Sequence, residues 1–208
     1  AKILGDNGYR TALIGKWHLG YLQKHHPMNF GFQKFVGFKS GNVDYQSHRN
    51  RYGDMDWWDG LEMKDMSGYT TTLLTTLSED YIKENKDKPF CLYIAHAAPH
   101  SPMQGPDEKA VRTEATPEGD KNSDRSNKEI YKDMVEELDW SVGRILETLK
   151  KYKLDENTFV VFFSDNGPVI NNGGSAGGYK GAKGSPWEGG HRVPGICYMP
   201  GTIKEGTT

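Results

Sequence analysis

Residues that could do acid–base chemistry, bind anions or hold a metal follow the predicted strands of this sequence. They are Lys16 and His18, then His100, then Asp165 and Asn166, and finally Lys183 on the next loop. Parallel strands direct their carboxyl ends to one edge of a sheet, where ligands bind in open α/β folds, so we expect these side chains to converge. Ammonium groups can hold the non-bridging oxygens of a tetrahedral oxyanion, and an imidazole can protonate a departing alcohol. The set therefore predicts a site for a sulfate or phosphate ester.

Asp165 and Asn166 carry hard oxygen donors, which suit Ca²⁺ and, as an alternative, Mg²⁺. An Asp-Asn-Gly triplet is also typical of a simple turn, so a turn remains an alternative interpretation. His100 lies between Pro99 and Pro102, which restrict its backbone. This restriction favours an acid–base role, although a single His after a strand is more often structural.

Lys16 and His18 lie in a hexapeptide bracketed by Gly15 and Gly20. The glycines would let the backbone turn sharply and present both side chains on the same side. A surface loop with a solvated lysine is the alternative interpretation of this hexapeptide.

The elements expected to position these residues alternate between strand and helix. Strands are predicted at residues 9–14, 35–38, 89–96, 158–163 and 193–199, and helices at 69–84 and from 126 onward. Ser126 and Glu129 form a capping-box pattern at the start of the second helix. Five apolar residues run together at 159–163, which predicts a central strand buried on both faces. The alternation predicts an α/β domain with a mostly parallel sheet and helices on both faces.

Composition narrows the class of protein. The chain has 208 residues and a formal net charge of −2, which does not favour a general nucleic-acid or membrane-surface binder. No apolar run is long enough to cross a bilayer. Cys91 and Cys197 lie in apolar runs, so buried free thiols are predicted, and a disulfide would need their two strands side by side. The sequence has no Gly-x-Ser-x-Gly, Walker or dinucleotide-binding glycine pattern.

The two ends of the chain look like interior parts of a fold. Residues 1–7 resemble the last turns of a helix that ends at a glycine. We therefore expect residues 1–208 to form one domain that is incomplete at both ends, and we draw no conclusion about compartment from the absence of a signal peptide. A long polar loop is expected at residues 103–124.

Four stretches of the sequence resemble motifs of the sulfatase family, which belongs to the alkaline phosphatase superfamily. Residues 8–20 are similar to the family's second signature. Residues 98–102, 164–167 and 183–194 are similar to three later motifs, in the family's order. Together they span nearly the whole chain, so the chain is identified as a partial catalytic domain of this family.

The resemblance implies an alkaline-phosphatase-like fold, a Ca²⁺ site and the hydrolysis of a sulfate ester by a formylglycine nucleophile. By position, Asp165 and Asn166 would be metal ligands. Lys16 and Lys183 would bind sulfate oxygens. His18 would contact the nucleophile's hydroxyl and assist sulfate elimination, and His100 would help the alcohol leave.

The family's nucleophile motif, Cys-x-Pro-x-Arg, is absent from these residues. Neither Cys91 nor Cys197 has Pro and Arg at the required positions. We expect the formylglycine, and a pair of aspartates that completes the metal site, to lie upstream of residue 1. On their own, residues 1–208 should then lack turnover and bind Ca²⁺ weakly at best.

The substrate is expected to be a sulfated carbohydrate. Asp44 and His48, with Tyr45 between them, lie where family members that act on sulfated sugars often carry pocket residues. Two alternatives stay open: a phosphodiesterase or phosphonate hydrolase of the same superfamily, and a non-catalytic relative that binds sulfated glycans. The resemblance also suggests export to a periplasm, a lysosome or the medium.

Overall fold

A mixed five-stranded sheet carries the first half of the molecule. The computed structural model describes residues 1–116 and 123–208. The strands of this sheet are β1 (Arg10–Lys16), β2 (Lys34–Phe38), β3 (Trp58–Asp59), β4 (Glu62–Met63) and β5 (Phe90–Ala95), in the order β4-β3-β2-β1-β5. β1 lies parallel to β2 and to β5, whereas β3 and β4 are antiparallel additions. The predicted α/β class and the three parallel strands are confirmed.

The carboxyl ends of β1, β2 and β5 approach one another closely at two glycines. A Cβ atom at Gly15 would overlap the carbonyl oxygen of Ala95, and one at Gly37 would overlap the carbonyl oxygen of Gly15. Their φ angles, +121° and +144°, also favour glycine. This close packing fixes the edge of the sheet from which Lys16 and His18 emerge.

The helices are α1 (Lys2–Asp6), α2 (Thr70–Glu84), α3 (Asn127–Lys151) and α4 (Glu188–His191), with 3-10 turns at Gln23–His25, Pro27–Phe30, Asp155–Asn157 and Ile170–Asn172. α3 begins where predicted, because the Ser126 hydroxyl accepts from the Glu129 amide while the Glu129 carboxylate accepts from the Ser126 amide. α2 and α3 pack together, and Leu74, Ile130 and Met134 join the apolar side chains of β1 and β2 in the core.

The prediction for residues 158–163 is wrong in two respects, the pairing of the strand and its burial. β6 (Val160–Phe163) is not a central parallel strand but pairs antiparallel with β7 (Gly195–Tyr198). Its residues alternate between half-buried and exposed, and Val161 and Phe163 are 48% and 59% exposed. An apolar run indicates that both faces are suited to burial, but it does not show what covers them.

Further differences concern the cysteines and the polar loop. Both thiols are free, as predicted, but Cys91 is half-buried and Cys197 is exposed, so their predicted burial is wrong. The described part of the predicted loop at 103–124 contains no helix or strand, and residues 117–122 lie outside the described residues. Among the described residues, no helix combines the length and apolarity needed to span a bilayer.

Candidate active site

The predicted site residues meet in a cleft of about 2070 Å³ between β5 and β6. Its walls include all six residues that follow the strand ends, namely Lys16, His18, His100, Asp165, Asn166 and Lys183. The cluster of Ile82, Ile145 and Leu149, which packs against apolar side chains of β5, also lines the cleft. The convergence expected from the sequence is therefore present in the structure, although β6 belongs to a separate ladder.

The loop after β1 positions Lys16 and His18. The amides of Trp17 and His18 donate to the carbonyl oxygens of Phe38 and Lys39, at 2.9 and 3.2 Å, which continues the β2 pairing past the end of the strand. His18 adopts a left-handed φ of +55°. Its imidazole lies against Gly41, where a Cβ atom would come within 2.5 Å of Nε2. The His18 imidazole therefore fits in this position because residue 41 has no side chain.

Two hydrogen bonds hold the backbone of His100, one at its amide and one at its carbonyl oxygen. Its amide donates to the carbonyl oxygen of Ala97 at 2.9 Å, and its carbonyl oxygen accepts from the Tyr45 hydroxyl at 2.9 Å. The ring Nδ1 lies 2.8 Å from the carbonyl oxygen of Ser101. A carbonyl can only accept, so Nδ1 carries a proton and Nε2 is the nitrogen left for chemistry.

The loops that carry Asp165 and Lys183 are joined to each other. The Gly167 amide donates to the carbonyl oxygen of Gly190 at 2.9 Å, and the Lys183 amide donates to that of Pro168 at 3.0 Å. A Cβ atom at Gly167 would overlap the backbone of Gly189. These contacts bring Lys183 to the loop of Asp165 and Asn166.

The charges in the cleft influence one another. Burial is the main cause of the lowered pKa of Lys16, which Asp165 opposes and Lys183 reinforces. Burial also lowers the pKa of His18, and the two lysines lower it further. The pKa of His100 is lowered by burial, opposed by its bond to Ser101, and lowered again by both lysines. Burial and mutual repulsion thus disfavour the charged forms of these three side chains. A bound anion would offset both effects and favour the charged forms.

Two residues predicted to bind substrate, Asp44 and His48, do not line the cleft, so their role in substrate binding stays a prediction. Both are fully buried. The Asp44 carboxylate accepts hydrogen bonds from the amides of Gln46, Ser47, Val111 and Arg112 and from the Gln104 side chain. His48 Nε2 lies 3.0 Å from the carbonyl oxygen of Gly68, and its ring packs on Trp57. Residue type alone did not show that these two side chains form their hydrogen bonds inside the fold.

Other cleft residues were missed. The Arg192 guanidinium lies 4.8 Å from the centre of the Tyr179 ring, and both residues line the cleft. Arg192 lies in the motif at 183–194, and Tyr179 lies in the glycine-rich segment before it. Their closeness in sequence to Lys183 is the feature that could have identified them as site residues.

Asp165 and Asn166 fit part of a hard-cation site. Both residues line the cleft, and carboxylate and amide oxygens are ligands that Ca²⁺ takes. Within the described ranges, no cluster of three or more His, Cys, Asp or Glu residues could hold a metal ion. Ca²⁺ takes about six to eight oxygen ligands. These two residues can therefore supply a minority of the ligands.

Comparisons with known proteins agree with the motifs. A family model described as Sulfatase matches residues 1–208. The chain is 33% identical to N-acetylgalactosamine-6-sulfatase of Canis lupus familiaris, covering 99% of this chain and 40% of that protein. It is 31% identical to an arylsulfatase of Hemicentrotus pulcherrimus, covering 99% of this chain and 38% of the relative.

A solved structure also resembles the chain. The crystal structure of Ps i-CgsB in complex with k-i-k-neocarrahexaose matches with a TM-score of 0.81 at 31% identity, covering 96% of this chain and 47% of that one. The 208 residues thus span less than half the length of each of these relatives. With the whole chain matched by the family model, the protein belongs to the sulfatase family.

Proposed function

We propose that the whole protein containing this chain is a sulfuric ester hydrolase that acts on a sulfated carbohydrate. One observation carries the proposal: Lys16, Lys183, His18 and His100 share one cleft with the oxygen donors of Asp165 and Asn166. The relatives named for sulfatase activity support the reaction class.

Each cleft residue has a proposed task. The ammonium groups of Lys16 and Lys183 bind non-bridging sulfate oxygens, and burial of Lys16 strengthens that attraction. His100 keeps its Nδ1 proton on the Ser101 carbonyl oxygen, so Nε2 gives a proton to the leaving alcohol from the imidazolium form, which the negative charge of a bound sulfate ester favours. His18, exposed beside Lys16, assists the release of sulfate. When present, Ca²⁺ held by Asp165 and Asn166 would polarise the sulfate, and a formylglycine would supply the nucleophile.

A lysine pair in one loop offers a test of the anion site. Lys183 lines the cleft, whereas Lys180 lies outside that lining with its ammonium 3.7 Å from the Trp187 ring centre. In the full-length protein, Lys183→Met should lower kcat/KM for nitrophenyl sulfate about a hundredfold or more. Lys180→Met should stay within a few-fold of wild type. Equal effects of the two variants would contradict the proposed sulfate contact.

Calcium binding is proposed from the donor set and can be tested without turnover. Ca²⁺ should raise the Tm of the full-length protein, because binding to the native state alone stabilises it. Asp165→Ala should remove most of that rise, while Asp59→Ala, a change at an exposed carboxylate, should leave it intact. A rise that survives Asp165→Ala would place the ion elsewhere.

The carbohydrate substrate is proposed from two relatives. One is named N-acetylgalactosamine-6-sulfatase, and the other was crystallised with k-i-k-neocarrahexaose. Release of sulfate from a panel of sulfated saccharides, measured by ion chromatography, tests this. Cleavage of matching phosphate esters in its place would favour the phosphodiesterase or phosphonate hydrolase alternative, and binding without release would favour a non-catalytic relative.

Two expectations accompany the proposal. Residues 1–208 expressed alone should show no sulfatase turnover, because neither cysteine lies in a Cys-x-Pro-x-Arg motif. The family resemblance also suggests an exported protein, which cell fractionation would test.

A further inference from the structure

The hydroxyl of Tyr45 contacts the backbone of the residue proposed to protonate the leaving alcohol. Tyr45 is fully buried, and its hydroxyl donates to the carbonyl oxygen of His100 at 2.9 Å. We propose that Tyr45 is a positioning residue that holds His100 so that Nε2 faces the leaving oxygen. The inference rests on the proposed function and adds a residue to it.

The bond from Tyr45 differs from the other bonds to His100. The amide of His100 bonds to Ala97 and its ring to Ser101, both close in sequence. Within the described residues, only the Tyr45 hydroxyl ties His100 to a distant part of the chain, 55 residues away. The local bonds can move with the loop as a unit, so the Tyr45 bond is the one that links His100 itself to the rest of the fold, while Gln104, later in the loop, is held by Tyr69 and Asp44.

Tyr45 is itself held firmly. Its amide donates to the Gln104 side chain at 2.9 Å, and its carbonyl oxygen accepts from the amide and hydroxyl of Thr70 at 2.8 and 3.0 Å. Its ring stacks on that of Tyr69 with centroids 5.3 Å apart. Burial raises the pKa of Tyr45 well above its ordinary value, so the phenol keeps the proton that it donates.

Asp44 extends this support to a second loop. Its carboxylate accepts from the Gln104 side chain at 3.2 Å and from the amides of Val111 and Arg112. Gln104 thus links Asp44 to the Tyr45 amide. The residue that the sequence suggested as a substrate ligand therefore serves the site by fixing Tyr45.

Loss of the Tyr45 hydroxyl should affect proton transfer more than sulfate binding. A general acid must lie within about 2.6–3.2 Å of the atom that it protonates. A sugar hydroxyl is a poor leaving group and needs that proton, whereas nitrophenolate leaves without it. Displacement of His100 should therefore slow cleavage of a sugar sulfate selectively.

The test compares two buried tyrosines in the full-length protein. Tyr45→Phe removes the hydroxyl that reaches His100, and Tyr69→Phe removes a hydroxyl that donates to the carbonyl oxygen of Gln104 at 2.7 Å. The ratio of kcat for galactose monosulfate to kcat for nitrophenyl sulfate should fall at least about tenfold in Tyr45→Phe. It should stay near wild type in Tyr69→Phe, while both variants lose similar Tm.

A second measurement does not depend on turnover. Hydrogen-exchange mass spectrometry of the peptide spanning residues 97–102, which excludes the Gln104 carbonyl that Tyr69 reaches, should show faster exchange in Tyr45→Phe than in Tyr69→Phe, because the His100 amide lies in that peptide. Equal exchange, or an equal loss of activity on both esters, would overturn the inference. A wild-type protein that cleaves neither ester would refute the proposed function instead, and the exchange comparison would still decide the role of Tyr45.

Discussion

At the scale of single residues, His96 differs from the other histidines of the cleft. It follows β5, and its Nδ1 is buried without a partner among the described residues. Its Nε2 lies 3.4 Å from the Ser141 hydroxyl. Burial lowers the pKa of His96 to about 4. The imidazole is therefore neutral in the folded protein at neutral pH, and the proposed reaction does not use it.

The neutrality of His96 predicts loss of stability in acid. The unfolded chain takes up the proton near pH 6.5, whereas the folded chain resists it until about pH 4. The unfolded state thus binds more protons in this window, so the free energy of unfolding should fall as pH drops through it, by up to about 3 kcal/mol. His96→Gln should flatten the dependence in urea titrations at several pH values. The exposed control His191→Gln should keep it, and an unchanged slope in His96→Gln would contradict the prediction.

Residue type and place in sequence predicted some site residues and not others. Lys16 was predictable because it ends β1, and the carboxyl ends of parallel strands share an edge. Asp165 and Lys183 line the same cleft although β6 pairs antiparallel with β7, so the parallel-strand argument does not explain their position. The burial of Asp44 could not be predicted, because the five hydrogen bonds that its carboxylate accepts come partly from residues more than fifty positions away. The sequence shows an acidic group but not its hydrogen-bond partners.

At the scale of elements, a glycine in a loop of the site and a glycine in helix α3 have opposite effects on stability. Gly167 allows the backbone of its loop to approach that of Gly189, so it joins two parts of the site. Gly143 lies exposed within α3, and a Cβ atom there would meet nothing within 4 Å. The first glycine is required by packing, and the second lowers the stability of its helix.

Alanine at these two positions should therefore shift stability in opposite directions. Gly143→Ala should raise the free energy of unfolding by about 1 kcal/mol, because alanine is the better helix former. Gly167→Ala should lower it, because its Cβ atom would overlap backbone that has no free room. Thermal and urea unfolding of both variants provide the measurement. Stabilisation by Gly167→Ala would show that the two loops can separate at little cost.

Elements with strong local signals were predicted well. The capping box of Ser126 and Glu129 located the start of α3, and the apolar runs located β1 and β5. The strands β3 and β4 were missed because two residues each are too few to show a period. The pairing of β6 was misjudged because an antiparallel partner, β7, lies more than thirty residues beyond it and leaves no local trace.

At the scale of the whole molecule, the chain presents two open sheet edges that face the cleft. Within the described residues, no strand pairs with the outer edge of β5 or with the free edge of β6. Apolar side chains on these strands are exposed, among them Tyr93 at 48% and Phe163 at 59%. Unpaired edges with apolar side chains are templates for pairing with another chain.

The 208-residue chain should consequently self-associate through β5 and β6. Analytical ultracentrifugation should show a sedimentation coefficient that rises with protein concentration. Val161→Lys, which places a charge on β6, should reduce this rise, because lysine on an exposed strand blocks pairing. Val135→Lys is the matched control, since Val135 is 38% exposed but lies on α3. If the two variants lower association equally, general surface apolarity and not the open edges of the sheets drives it; a concentration-independent monomer would show that the edges are inert.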